Sequence, residues 1–148
     1  MLTSLKIIDH IHTDTKIIDE ISLSYEDRFI RRKKLIANNG TEFLVNLEET
    51  KSVDENYYFK LDSGEAIKVI SKEENLMQIT GDNLKQIIWH IGNRHLPCQI
   101  EESRILIQED SVIKEMIIKL GGNVTNVVEK FKPEGGAYGM GRTHSHQH

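Results

Sequence analysis

Residues 104–122 read RILIQEDSVIKEMIIKLGG, and this stretch indicates the fold class of the C-terminal half of the chain. Arg104–Gln108 is a short apolar run that predicts a strand. Asp110 or Ser111 can cap a helix whose apolar residues recur at helical spacing. Gly121-Gly122 is typical of a helix end, because glycine adopts left-handed backbone angles without steric strain. A strand joined directly to a capped helix indicates a mixed α and β unit.

The same pattern extends in both directions from this stretch. Upstream, a short strand precedes a helix that can be capped by Thr80 or Asp82 and that ends at Gly92-Asn93. Downstream, one more strand follows the glycine pair and is closed by Pro133. The predicted strands lie at residues 76–79, 97–101, 104–108 and 124–131. The resulting order, β-α-β-β-α-β, is that of the ferredoxin-like arrangement.

The N-terminal half shows no helical spacing, and its short apolar groups between polar turns predict strands. Asn39-Gly40 predicts a hairpin with a tight turn, and Asp62-Ser63-Gly64 predicts a second hairpin. We expect an α+β chain in which an all-β domain, a small sandwich or barrel, precedes a ferredoxin-like βαββαβ domain. The expected domains are residues 1–73 and 74–148, joined by a charged hinge at 71–75, with a flexible histidine-bearing tail from about residue 134.

Composition narrows the classes of function and partner. The 148-residue chain is 38% hydrophobic and 28% charged, and its formal net charge is -4. A negative chain gains nothing from a nucleic-acid backbone, and no apolar run approaches the roughly 20 residues of a membrane helix. The N-terminus lacks the pattern of a secretory signal, and the single cysteine, Cys98, is typical of a cytoplasmic protein. The basic run Arg31–Lys34 is interpreted as a solvated edge strand, with a docking patch for an acidic partner as the alternative.

The C-terminal tail carries the clearest chemical signal. Its last residues, RTHSHQH, contain His144, His146 and His148, and the preceding glycines let the tail move. Imidazole is the commonest side-chain metal ligand and binds nickel, zinc and copper. A mobile tail can take up an ion and pass it on, but it cannot hold a catalytic geometry. The alternative interpretation is a tag remnant or a disordered end, although tags normally use consecutive histidines.

A further candidate ligand, His95, lies just beyond the predicted end of the first helix. One imidazole holds an ion weakly, but a residue beside a two-fold axis meets its own copy in a symmetric dimer. Two His95 side chains would then form a fixed site that the tails complete. His90 is assigned to the helix dipole, His10 and His12 to the exposed face of a possible strand, and Cys98 to a small apolar group on a strand.

Three segments together resemble one known family. Residues 89–97 read WHIGNRHLP, residues 133–139 read PEGGAYG, and a histidine-bearing C-terminus follows. These segments, at this separation, resemble the UreE family of urease accessory proteins. The resemblance implies an N-terminal β domain that binds a peptide or partner, and a homodimer. It also implies His95 as the ligand paired across the dimer axis, with His144, His146 and His148 as variable tail ligands.

The resemblance also implies the cargo and its destination. The dimer would carry Ni(II) to the urease assembly complex, which includes the urease accessory GTPase. Zn(II) or Cu(II) should also bind in vitro, because affinity alone does not select nickel. We expect no enzyme activity, no nucleic-acid partner and no membrane partner. The alternatives are a metal buffer without a dedicated partner and a zinc-dependent hydrolase, which would need a fixed site with an open position.

Overall fold

The computed structural model describes residues 1–135 of the chain and shows an α+β architecture, as predicted. The chain divides into two compact units, an N-terminal and a C-terminal unit, with the boundary between Lys72 and Glu73. In the described residues, neither helix has the length and hydropathy needed to cross a bilayer.

The N-terminal unit is built on one six-stranded mixed sheet. Its strands are β1 (Leu2–Ile8), β2 (Ile17–Leu23), β3 (Phe29–Ile36), β4 (Glu42–Ser52), β5 (Tyr58–Leu61) and β6 (Ala66–Ser71). The order is β2-β6-β5-β1-β4-β3, in which β1 pairs with β4 and β2 with β6 in parallel. The core lies on one face of the sheet, where Phe43, Val45, Phe59 and Ile67 are completely buried.

Both predicted hairpins form, but the loop at Asn39-Gly40 has three residues rather than the two of a tight turn. The amide of Ala37 donates to the carbonyl of Thr41 at 2.8 Å, and Leu61 donates to Glu65 in the same way at 2.8 Å. Only the glycine of each loop, Gly40 or Gly64, has a positive φ, at 95° and 91°. A three-residue hairpin loop needs one left-handed residue after a type I turn, whereas a two-residue turn needs two.

The unit is one curled sheet, because β2 bonds to the loop between β3 and β4. The amide of Asn38 donates to the carbonyl of Glu20 at 2.8 Å. The buried carboxylate of Asp19 accepts from the amides of Glu20, Asn39 and Thr41 at 2.8, 3.1 and 3.3 Å. Burial alone would raise the pKa of Asp19, but hydrogen bonds from Thr41, Glu20 and Asn39 together hold it below its usual value. Asp19 therefore closes the curl as a carboxylate.

The C-terminal unit has the predicted ferredoxin-like order. Its elements are β7 (Glu73–Thr80), α1 (Leu84–Asn93), β8 (Gln99–Ile100), β9 (Ile105–Gln108), α2 (Ser111–Lys119) and β10 (Asn123–Lys130). The four strands are antiparallel in the order β10-β7-β9-β8. Both helices pack on one face of this sheet through a core of Met77, Ile79, Ile87, Ile91, Ile105, Ile107, Ile113 and Ile117.

Several element ends differ from the prediction. The first strand of this unit begins at Glu73, so the charged segment assigned to a hinge is mostly strand. Strand β8 has only two residues, because Pro97 has no amide to donate and the carbonyl of Cys98 bonds outside the sheet.

The cap of α2 agrees with the prediction, whereas the cap of α1 differs from it. Asp110 caps α2 as predicted, accepting from the amides of Val112 and Ile113 at 3.0 and 3.1 Å. Neither Thr80 nor Asp82 caps α1. Asn83 holds the cap position, and its side chain donates to the carbonyl of Leu120 at the end of α2 rather than to its own helix. The start of α1 is thereby fastened to the end of α2.

Candidate metal centre

His95 occupies a left-handed position at the end of α1. Its φ is 57°, and its amide donates to the carbonyl of Gly92 at 3.0 Å. The next amide, of Leu96, reaches back to the carbonyl of Ile91 at 3.5 Å. These two bonds form a Schellman motif, with Arg94 as the C-cap and His95 at the residue that is usually glycine.

This motif fixes the backbone of His95 while leaving its side chain in solvent. Leu96 is half-buried and packs against the core of the unit, so the residue after His95 is anchored. The side chain of His95 itself is exposed. A non-glycine residue in this conformation costs on the order of 1 kcal/mol, and such strain is concentrated at functional sites. The structure therefore presents an accessible imidazole from a rigid helix end.

The segment 131–134, directly after β10, runs to the opposite edge of the sheet. Phe131 is completely buried, and the amide of Lys132 donates to the side-chain oxygen of Gln99 at 2.8 Å. The amide of Glu134 then donates to the carbonyl of Cys98 at 2.9 Å. Because β10 and β8 are the two edges of the sheet, this segment crosses from one to the other. It ends beside Cys98, three residues after His95.

The thiol of Cys98 is a poor candidate for a metal ligand, because it is held in its protonated form. Burial, and secondarily the negative charge of Glu134, raises the pKa of its thiol to about 12. Metals bind the thiolate rather than the thiol. The residue packs against the core as the small apolar group that was expected, one position before β8.

His90 lies in the last turn of α1, as predicted for a residue that interacts with the helix dipole. Its ring meets Trp89 edge to face, with 5.0 Å between ring centroids and 89° between ring planes. Trp89 is 63% exposed, which is unusual for so large an apolar side chain.

The placement of His10 and His12 on a strand was wrong. Strand β1 ends at Ile8, and both histidines lie in the exposed loop that leads to β2. The Nδ1 atom of His10 lies 2.7 Å from a carboxylate oxygen of Asp9. That hydrogen bond, together with the charge of His10, lowers the pKa of Asp9.

Arg104 stabilises the end of β10, and no local sequence pattern indicates this role. Its guanidinium donates two bonds to the carboxylate of Glu129, at 2.7 and 2.8 Å, and one to Glu101 at 3.0 Å. A further bond reaches the side chain of Gln78 at 2.9 Å. Hydrogen bonds from Arg104 lower the pKa of both glutamates. The end of β10 is thereby tied to β7 and to the start of β9.

The structure places His95 but not the other three predicted ligands. His144, His146 and His148 lie outside the described residues. Within residues 1–135, no three His, Cys, Asp or Glu side chains of one chain are grouped closely enough to hold a metal ion.

The chain is similar to known proteins along most of its length. Residues 74–148 match the family model described as UreE urease accessory protein, C-terminal domain. The protein named urease accessory protein UreE from Ruegeria pomeroyi is 52% identical over 130 residues, which cover 88% of this chain and 87% of that relative. The protein of the same name from Rhodobacter capsulatus is 48% identical and covers 88% and 83% respectively. The one from Azorhizobium caulinodans is 37% identical across the whole chain and 76% of its own length. This chain belongs to the UreE family of urease accessory proteins.

Proposed function

We propose that the chain is a nickel metallochaperone for urease. It binds Ni(II) through histidines at a homodimer interface and delivers the ion to the urease assembly complex, which includes the accessory GTPase. Membership of a urease accessory family supports the destination. The observation that carries the metal-binding role is the exposed imidazole of His95, held in a strained left-handed position next to the segment that leads into the tail.

A dimer follows from the number of ligands. A single imidazole cannot retain an ion, and no other His, Cys, Asp or Glu of residues 1–135 forms a group of three with it. A two-fold axis beside His95 would supply a second imidazole from the same position of a second copy. The exposed indole of Trp89 near the end of the same helix offers apolar surface for such an interface.

The tail histidines would complete the site. Glu134 is bonded to Cys98, so the tail departs from the segment that follows His95. The nine residue-to-residue steps from Gly135 to His144 can span at most about 30 Å when extended. His144, His146 and His148 can therefore reach His95 of their own chain.

The ligands suit nickel as a cargo rather than as a resident ion. Neutral imidazoles without thiolate bind nickel, zinc and copper, and an incomplete protein shell leaves positions for water and for exchange. Zn(II) and Cu(II) should compete in vitro for the same reason. The urease connection of the family favours nickel as the physiological ion.

The C-terminal unit, residues 74–148, binds metal, and the N-terminal unit, residues 1–73, binds a partner. The protein acts in the cytoplasm and is not an enzyme. A metal buffer without a dedicated partner would bind the same ions, and a zinc hydrolase would turn over substrate. Delivery to urease separates the proposal from both.

Urease activity in cells with limiting nickel tests delivery. The variants to be compared are His95→Ala, a truncation before Thr143, and the control His12→Ala, which removes an exposed histidine from a loop of the N-terminal unit. His95→Ala should reduce urease activity most, the truncation should reduce it partially, and His12→Ala should leave it near the wild-type level. If the truncation were more damaging than His95→Ala, the tail would be the working site and His95 would not.

A further inference from the structure

Positively charged side chains are concentrated on one face of the N-terminal sheet. This face lies opposite the core, and we call it the outer face. Residues that pair across neighbouring strands point to the same side of a sheet. The core side contains Phe43, Val45, Phe59 and Ile67, so the residues that alternate with them lie on the outer face. Its cations lie on four different strands and are Lys6, Arg32, Lys34, Lys60 and Lys68. The chain as a whole has a net charge of -4, so this concentration is local.

Two of these cations oppose each other directly. Lys6 of β1 is the cross-strand partner of Lys60 of β5. Like charges at directly opposite positions destabilise a sheet. The register also shifts between Ser4 and Lys6, so Leu5 is the extra residue of a β-bulge, and Leu5 and Lys6 both face Lys60.

Few acidic side chains compensate these cations. Lys34 lies 3.8 Å from Glu42, and both side chains are more than half exposed. Glu20 is the cross-strand neighbour of Lys68. In the part of the chain that the structure describes, the side chains of Lys6 and Lys60 form no ion pair.

Apolar surface is exposed among these cations. Leu5 is 63% exposed and Ile36 is 62% exposed. Leu44, the cross-strand partner of Lys34, and Tyr58, the partner of Lys68, are half-buried. Cations around isolated apolar side chains complement a surface in which carboxylates alternate with apolar groups.

We propose that the outer face docks an acidic, extended segment of a partner protein, whose carboxylates meet Lys6, Lys60 and Arg32 and whose apolar side chains cover Leu5. This deepens the proposed function, because it rests on the assignment of partner binding to the N-terminal unit. A nucleic acid fits less well, since Tyr58, the aromatic partner of Lys68, is half-buried and offers little ring surface on which a base could stack. A membrane surface fits less well, since its exposed apolar residues are separate side chains rather than one face of an amphipathic helix.

Binding of a fluorescent synthetic peptide of alternating glutamate and leucine to the full-length, metal-free chain tests this proposal. The charge-reversed double variant Lys6→Glu with Lys60→Glu should weaken binding by about tenfold or more. The matched control is the double variant Lys33→Glu with Lys51→Glu. It changes the net charge by the same amount, but Lys33 and Lys51 pair with the core residues Val45 and Ile30 and therefore do not lie on the outer face. The control should change binding by less than about twofold, and Leu5→Ser should weaken it by several-fold.

Several outcomes would overturn the proposal. Equal weakening by the two double variants would show that only net charge matters. Absence of peptide binding, or tighter binding of single-stranded oligonucleotide or phosphatidylserine vesicles, would also contradict it. If the double variant unfolds, Lys6→Glu alone serves, because it places opposite charges across β1 and β5. Nickel binding measured on the same variants should be unchanged, so failure here is distinguishable from failure of the metal site.

Discussion

His95 and Gly121 occupy the same position of the same backbone motif, one at the end of each helix. Gly121 has a φ of 89° and its amide donates to Ile118 at 3.0 Å, and the next amide donates to Ile117 at 2.9 Å. His95 repeats this arrangement at the end of α1 with a φ of 57°. Glycine meets the conformational requirement without strain, and histidine does not. The fold alone gives no reason for an imidazole at position 95.

Placing glycine at position 95 and a non-glycine residue at position 121 should therefore change the free energy of unfolding in opposite directions. His95→Gly should raise the free energy of unfolding of the metal-free protein by about 1 kcal/mol, because it relieves left-handed strain. Gly121→Ala should lower it by about 1 kcal/mol for the reverse reason. Urea unfolding followed by circular dichroism measures both. A destabilised His95→Gly variant would mean that the side chain of His95 supports the fold.

The N-terminal curl should depend on the charge of Asp19. Asp19→Asn should lower the free energy of unfolding at neutral pH by about 1.5–3 kcal/mol, since a charged acceptor of several amide bonds is lost. The control Asp14→Asn, at an exposed position of the loop before β2, should have little effect.

The pH dependence of this effect has a defined sign. The folded-state pKa of Asp19 lies below its ordinary value of 3.8, so its contribution is fully present above that value. The contribution is lost as pH falls through the lower, folded-state pKa. The difference between wild type and Asp19→Asn should therefore shrink in strong acid. A difference that stays constant from neutral pH to about pH 2 would contradict the assigned role.

The thiol of Cys98 should resist alkylation in the folded protein. With its pKa raised to about 12, almost no thiolate exists at pH 8. Iodoacetamide should modify native protein far more slowly than urea-unfolded protein, as measured by mass spectrometry. Glu134→Gln should increase the native rate modestly, because Glu134 contributes to the raised pKa. Modification of the native protein at the unfolded rate would restore Cys98 as a candidate ligand.

The order of elements in the C-terminal unit could be predicted because its signals are local. Asp110 caps a helix with its own side chain, and Gly121 supplies the left-handed residue that ends it. The hairpins at Gly40 and Gly64 could be placed for the same reason. Capping and glycine conformation act within a few residues, so they are visible in sequence.

Features that depend on distant residues could not be predicted. Asp19 meets its partners about 20 residues away, and Arg104 meets Glu129 across the sheet. The left-handed residue at the end of α1 could not be predicted either. The sequence suggests that the helix stops at Gly92, but Gly92 lies within the helix and His95 has the left-handed conformation. The position of Glu134 beside Cys98, three residues after His95, depends on a backbone hydrogen bond that no local pattern indicates.

The pairing of two His95 side chains across a dimer axis is tested most directly by calorimetric nickel titration, with the mass of the nickel-bound species measured on the same samples. The wild-type protein should show a tightest site of one nickel per two chains. The truncation before Thr143 should keep that stoichiometry with weaker affinity, because the two His95 imidazoles remain and water fills the vacated positions. His95→Ala should lose the tightest site while remaining folded. Retention by His95→Ala of one tightly bound nickel per two chains would contradict the account.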